Sequence, residues 1–164
     1  MTINFRNKTL QEYLDQLSRR EPVPGGGSAA ALTGALAAGL ISMVANYSLG
    51  RKTNTKAVQH RLVKILKSSE AIRRRLLELT SLDSQAYLSM CAATRSLDKK
   101  AQRRSAQQAL AVPREICKLC HKAILLTPFL AEKGNPHLLS DVEVAIELLT
   151  AAFSGARIMV RVNS

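Results

Sequence analysis

The stretch from Pro22 to Gly50 contains no charged side chain, and it opens with Pro22-Val23-Pro24-Gly25-Gly26-Gly27-Ser28. Three consecutive glycines free the backbone and let a ligand approach the main chain closely. Ser28 is a favourable N-cap, and Ala29-Ala30-Ala31-Leu32 is strong helix sequence. The pattern predicts a helix from about Ser28 to about Leu49. Its length and lack of charge raise the question of a membrane span. The dominance of Ala, Gly, Ser and Thr, together with Asn46, argues for a central buried helix instead. Ala31, Ala35 and Gly39 form a small-residue stripe for close helix packing, and the same stripe is a candidate subunit interface. A glycine loop that opens into a helix also presents unpaired N–H groups at the positive end of the helix dipole, which suits an anion or a polar heterocycle. No Gly-Lys-Ser/Thr follows, so this is not a P-loop. Ser18-Arg19-Arg20-Glu21 does not read as the buried strand that precedes a dinucleotide fingerprint.

A chain of 164 residues fits one domain with a real core. Its apolar mass is Ala, Leu, Ile and Val with no Trp, which favours helix–helix packing over a β-sandwich. The net charge is +12, and nine Lys or Arg against the single acid Glu70 lie between Arg51 and Arg75. Lys99, Lys100, Arg103 and Arg104 form a second basic stretch. Such an excess favours anionic partners, although each residue taken alone reads as part of a solvated helix face. Three cysteines make no disulfide framework, and the N-terminus lacks an apolar signal region, so a cytoplasmic location is expected.

The chain reads as helical nearly throughout. Thr9-x-x-Glu12 is a capping box, followed by Leu10, Tyr13, Leu14 and Leu17 at helical spacing. Residues 55–80 form an amphipathic helix with Val58, Leu62, Ile65, Ile72, Leu76 and Leu79 inward and Lys56, His60, Lys64 and Lys67 outward, continuing through Asp83 to about Arg95. A helix around 101–110 is expected next. Pro113 then begins another that reaches Lys133 with a bend at Pro128. Gly134-Asn135-Pro136 is a stop, and Ser140-x-x-Glu143 is a second capping box that starts a last helix to about Arg161.

Asp83 is the candidate acid/base. It stands in the neutral run 79–87, and a carboxylate among apolar neighbours has a raised pKa suited to proton transfer near neutrality. An N-cap or an exposed helical aspartate is the competing reading. Cys117-x-x-Cys120-His121 resembles a metal or redox motif, but no second ligand pair accompanies it, so core cysteines with an exposed His121 are expected. Cys91 is assigned to the core as well. Helix 55–75 is the candidate nucleic-acid surface, though it lacks interleaved aromatics and any helix-turn-helix or zinc-finger pattern.

Several segments together resemble the cyclodeaminase/cyclohydrolase family of folate enzymes. That family includes the C-terminal domain of formiminotransferase-cyclodeaminase and stand-alone bacterial methenyltetrahydrofolate cyclohydrolases. The matching segments are 22–32, Met43-Val-Ala-Asn46, Asp83-Ser-Gln-Ala86-Tyr87, Ala111-Val-Pro113, 132–136, 140–145 and Gly155-Ala156 through Asn163. The resemblance implies one all-α domain over 1–164, a helical bundle that forms a homodimer. It implies hydrolysis of 5,10-methenyltetrahydrofolate to 10-formyltetrahydrofolate, or conversion of 5-formiminotetrahydrofolate to the methenyl compound and ammonia. Asp83 would be the proton donor and acceptor, and Pro24, Gly25, Gly26, Gly27, Ser28, Asn46, Asp141 and Asn163 would contact substrate. No metal and no cofactor beyond the tetrahydrofolate, with or without a polyglutamate tail, is implied, and no membrane or nucleic acid. The chain departs from the family pattern in three places. Arg95-Ser-Leu-Asp98-Lys-Lys100 replaces a Leu-Pro-Lys stretch. Met159 replaces an Asn. The family's usual C-terminal extension is expected to be absent after Ser164. These departures motivate the alternative of a catalytically weakened folate-binding or regulatory protein on the same scaffold. A basic nucleic-acid binder is the remaining one.

Overall fold

The structure, a computed structural model, describes residues 3–164. In them the chain forms six α-helices and two short 3₁₀ turns, with no strand among the described residues. Helix α1 (Leu10–Leu17) starts at the expected capping box. The Glu12 amide donates to the Thr9 hydroxyl at 3.1 Å, and the Thr9 amide donates to the Glu12 carboxylate at 2.6 Å. The Tyr13 ring is buried edge-on against Phe5, with centroids 5.4 Å apart. Leu10 and Leu14, at helical spacing with Tyr13, stay on the surface.

Helix α2 (Gly26–Ser48) begins two residues earlier than expected. Gly25 takes the cap position, and Ser28 lies inside the first turn with its hydroxyl 3.0 Å from the Tyr13 hydroxyl. Ser28 therefore does not cap the helix; it joins α2 to α1. Helix α2 is long and apolar enough to cross a membrane. Here it packs between α3 (Lys56–Thr94) and α6 (Leu139–Val162), while α4 (Lys99–Ile124) closes the four-helix bundle on the far side. Ala31 and Ala35 are buried inside the chain, which corrects their assignment to a subunit stripe. At Gly34 neighbouring helices pack tightly: a methyl group there would lie 3.1 Å from the Cys120 sulfur and 3.2 Å from a Leu76 methyl.

Helix α3 is one element of 39 residues, about 58 Å long at the standard rise. Leu62, Ile65, Ile72, Leu76 and Leu79 are buried as the periodicity predicts, and Val58 is half-buried. The Ser42 hydroxyl donates to the Ser69 hydroxyl at 2.8 Å, satisfying both at the α2–α3 contact.

Three expectations fail in the second half. Helix α4 runs through Pro113 without a break: the proline is fully buried in a helix that packs on both α3 and α6, and that burial outweighs the lost backbone hydrogen bond. The break falls at Leu125-Leu126, and Pro128 lies in the first turn of α5 (Thr127–Lys133), where a missing N–H is harmless, rather than bending a longer helix. Ser140 does not cap α6. The Asn135 side chain accepts from the His137 amide at 3.1 Å and nucleates a 3₁₀ turn over Pro136–Leu138 that runs straight into the helix. The Asn135 amide donates to the Ser48 hydroxyl at 2.8 Å, and Arg51 donates to the Gly134 carbonyl at 2.8 Å. These bonds tie the end of α2 to the approach to α6, so the two helices run antiparallel.

The close approach at Gly34 yields a test. Gly34→Val forces a branched side chain between three helices and is expected to lower stability by about 1–3 kcal/mol, read as a lower urea midpoint at unchanged slope.

Candidate active site

The antiparallel arrangement brings the start of α2, the later turns of α3, the middle of α4 and the end of α6 to one end of the bundle. They enclose a cleft of about 340 Å³ lined by Gly25, Gly26, Gly27, Asp83, Tyr87 and Met159, with Pro22, Val23, Met90, Ala109, Val162 and Asn163 completing the wall. That volume lies at the lower end of small-molecule sites. It suits a bicyclic heterocycle with the remainder of a longer ligand outside.

The Asp83 carboxylate projects from α3 onto the first turn of α2. It lies so close to Gly27 that a Cβ at that position would overlap it. Glycine is required here by this approach, not by its dihedral angles. The N-cap residue Gly25 has no side chain to cap α2, and the backbone N–H of Ser28 faces the Asp83 carboxylate and favours its ionised form. The carboxylate thus lies at the positive end of α2, supplied from another helix. Burial pushes its pKa up from the ordinary 3.8 to about 6, and the Ser28 N–H opposes that rise more weakly. Near neutral pH the group exists in both protonation states, as an acid/base must.

Tyr13 supports this arrangement from behind. Its phenol is buried against the Ser28 hydroxyl. The preceding segment is anchored to α3 where the Phe5 amide donates to Ser81 at 2.9 Å. Tyr87, one turn beyond Asp83, is exposed at the cleft and offers a ring face. Asn163 donates through Nδ2 to the Ala109 carbonyl at 3.0 Å.

Sequence reasoning located part of this site. Asp83, Gly25, Gly26, Gly27 and Asn163 line the cleft. Pro24 is buried behind the loop, next to a cis Val23–Pro24 bond, and Ser28 contributes its backbone rather than its hydroxyl. Asn46 and Asp141 lie elsewhere. Counted along α2 and α6, each is about 30 Å from the glycine loop, so within one chain neither lines this cleft. Tyr87 and Met90 went unassigned, although their spacing from Asp83 puts all three on one helix face. Met159, the departure noted in the last helix, gives the cleft an apolar wall. The altered Arg95–Lys100 turn lies at the exposed tip of the α3–α4 hairpin, outside the lining.

The cysteine motif does not form a site. Cys120 is buried and its thiol is pushed up to about 12 by burial, Cys117 and Cys91 are half-buried, and His121 is exposed. Among the described residues no three His, Cys, Asp or Glu side chains converge as metal ligands.

The all-helical fold is shared with a known protein. Residues 9–164 match the formiminotransferase-cyclodeaminase family model, and the chain belongs to that family of folate one-carbon enzymes. It is 36% identical to a methenyltetrahydrofolate cyclohydrolase of Methylorubrum extorquens, over 96% of this chain and 80% of that one. It is 28% identical to the formimidoyltransferase-cyclodeaminase of Rattus norvegicus over 94% of this chain, but spans only 30% of that longer protein. The fold superposes on a crystal structure of formiminotetrahydrofolate cyclodeaminase from Thermotoga maritima with a TM-score of 0.91 and 28% identity, over 96% of this chain and 79% of that one.

The raised pKa of Asp83 has a stability consequence. The folded protein favours the protonated carboxyl, so this group's contribution is fullest below about pH 4 and is lost as pH rises through about 6. Asp83→Asn keeps the acceptor and removes the buried charge. The variant is expected to be more stable than wild type by about 2 kcal/mol at pH 7.5, less than full conversion of the shift at 1.36 kcal/mol per unit because the carboxylate keeps some water. Chemical denaturation across pH should show the gain vanishing below pH 4.

Proposed function

We propose that the protein hydrolyses 5,10-methenyltetrahydrofolate to 10-formyltetrahydrofolate, with Asp83 as general base and then general acid. The observation that carries this reading is a half-buried carboxylate, its pKa raised to about 6, set in a cleft against a glycine-opened helix. The higher identity to a cyclohydrolase than to the cyclodeaminases supports the choice of reaction.

In this mechanism water attacks the methenyl carbon between N5 and N10 while ionised Asp83 takes one of its protons, giving a neutral hydroxyl adduct. The C–N5 bond then breaks as Asp83 returns its proton to N5. The hydroxyl proton leaves to solvent and the formyl carbonyl forms on N10. The net products are 10-formyltetrahydrofolate and one proton. One carboxyl group that cycles between acid and base suffices, so the proposed chemistry uses no cofactor beyond the folate. The glycine loop, Tyr87 and Asn163 hold the heterocycle, so that the attacking water and the carbon meet in a fixed geometry.

The close fold match to a cyclodeaminase favours a second reading. There N10 attacks the formimino carbon, and the departing nitrogen gains one proton from N10 and one from protonated Asp83, leaving as ammonia as the methenyl cation forms. Both readings fit a reducing cytoplasm, where the three unpaired thiols would persist.

We further propose that the protein acts as a homodimer through the outer face of α2. Leu36 and Tyr47 are exposed there, with half-buried Leu40 and Met43 between them at coiled-coil spacing. This face is uncharged on a chain of net charge +12. Two copies joined through it bury apolar surface.

Loss of methenyltetrahydrofolate absorbance tests the reaction. Wild type is expected to accelerate the decay and Asp83→Asn to leave it at the background rate. kcat/KM should fall tenfold per pH unit below about pH 6. Full activity in the variant overturns the role of Asp83. Inactivity on this compound with formation of the methenyl band from 5-formiminotetrahydrofolate selects the second reading. For the assembly, light scattering should give a dimer mass for wild type and a monomer mass for the Leu36→Glu, Met43→Glu double variant. A wild-type monomer at micromolar concentration overturns it.

A further inference from the structure

Pro113 lies in the middle of α4, fully buried, and has no backbone N–H. In an α-helix the residue at this position would donate to the carbonyl four residues earlier. The carbonyl left without that donor belongs to Ala109, which lines the cleft. The Asn163 side chain, arriving from the far end of the sequence at the close of α6, donates to that same carbonyl at 3.0 Å. A carbonyl oxygen only accepts, so the Asn163 group that faces it must be the NH₂. This fixes the amide orientation. Asn163 Oδ1 and the second Nδ2 hydrogen make no hydrogen bond among the described residues, and Asn163 lines the cleft.

We propose that Pro113 is a positioning residue for substrate recognition: by deleting one helical N–H it frees the Ala109 carbonyl to hold Asn163, which then presents an acceptor oxygen and one donor hydrogen to the cleft. An adjacent acceptor and donor match the amide-like edge of a heterocycle, where an N–H lies beside a carbonyl or ring nitrogen. The pyrimidinone ring of a reduced pterin has such an edge. This inference rests on the folate reading above and assigns the recognition of that ring to Asn163. A site built to hydrogen-bond a polar edge discriminates strongly against ligands that lack it.

The expected signature separates this role from a structural one. An alanine at position 113 restores the helical N–H, which draws the Ala109 carbonyl back along the helix axis and releases Asn163. Pro113→Ala should therefore keep or raise the Tm while KM rises about five- to tenfold and kcat stays within twofold. The test is a double-mutant cycle with Pro113→Ala, Asn163→Ala and the pair, measuring the Kd of 5-formyltetrahydrofolate, a stable reduced folate. Each single variant should weaken binding about five- to tenfold, and the pair should bind no worse than Asn163→Ala alone. Wild-type affinity in Pro113→Ala, or full additivity of the two changes, overturns the inference. If Pro113→Ala does not fold, Asn163→Asp serves in its place. It is nearly isosteric but has no N–H for the carbonyl, and it is expected to weaken binding as Asn163→Ala does; unchanged affinity overturns the proposal. Failure of the wild type to bind the probe would instead overturn the folate reading. The latch itself would then be judged by the Asn163 side-chain amide resonance, which should move on Pro113→Ala in the free protein.

Discussion

The site depends on one contact, the Asp83 carboxylate resting on the first turn of α2 at Gly27. It requires the absence of a side chain at Gly27 and of a side-chain cap on α2. The N-terminus of α2 then takes its acceptor from α3, and the acceptor is a group with chemistry of its own. The contact also sets the register between α2 and α3. Behind it the Ser42–Ser69 bond and the tight packing at Gly34 hold the two helices in that register over their length.

A carboxylate used only as a cap would gain most from full ionisation, and water would favour that state. Asp83 is instead buried enough that desolvation outweighs the Ser28 N–H, and the folded protein holds it at a pKa of about 6. The fold thus gives up some stability near neutral pH at the position where proton transfer would occur. That is the exchange expected of a functional site embedded in an otherwise well-packed bundle. The remainder of the core follows the opposite rule: Leu62, Ile65, Leu76, Leu79, Ile116 and Leu149 are fully enclosed apolar side chains.

The two ends of the chain meet the site by different routes. The N-terminal segment braces it from outside through Phe5, Tyr13 and Ser28. The C-terminal helix enters it with Met159 and Asn163. The Asn163 amide meets α4 where Pro113 has removed a hydrogen-bond donor, so a local defect in one helix is satisfied by the end of another. A residue that reads as a helix breaker is better understood here as the source of a free carbonyl.

The sequence by itself determined the all-helical class, the extents of α2 and α3 to within a few residues, and the inward face of α3. The 3.6-residue periodicity of α3, the capping box at Thr9 and the charge-free α2 depend on neighbours within a turn or two, and such local chemistry is legible in one dimension. Asp83 was legible for the same reason, as a carboxylate in a neutral run, and so was the glycine loop. Tyr87 and Met90 were within reach, since they lie on the Asp83 face of the same helix. What only the tertiary structure decided were the meetings between distant segments. Ser28 turns to Tyr13 rather than capping α2, and Pro113 is buried inside α4, which packs on α3 and α6. Asn46 and Asp141 fall at the far end because α2 and α6 run antiparallel. Tyr13, Ala109 and Met159 reach the site through packing between elements far apart in sequence. Their positions depend on which helix faces come together, and no local pattern encodes that.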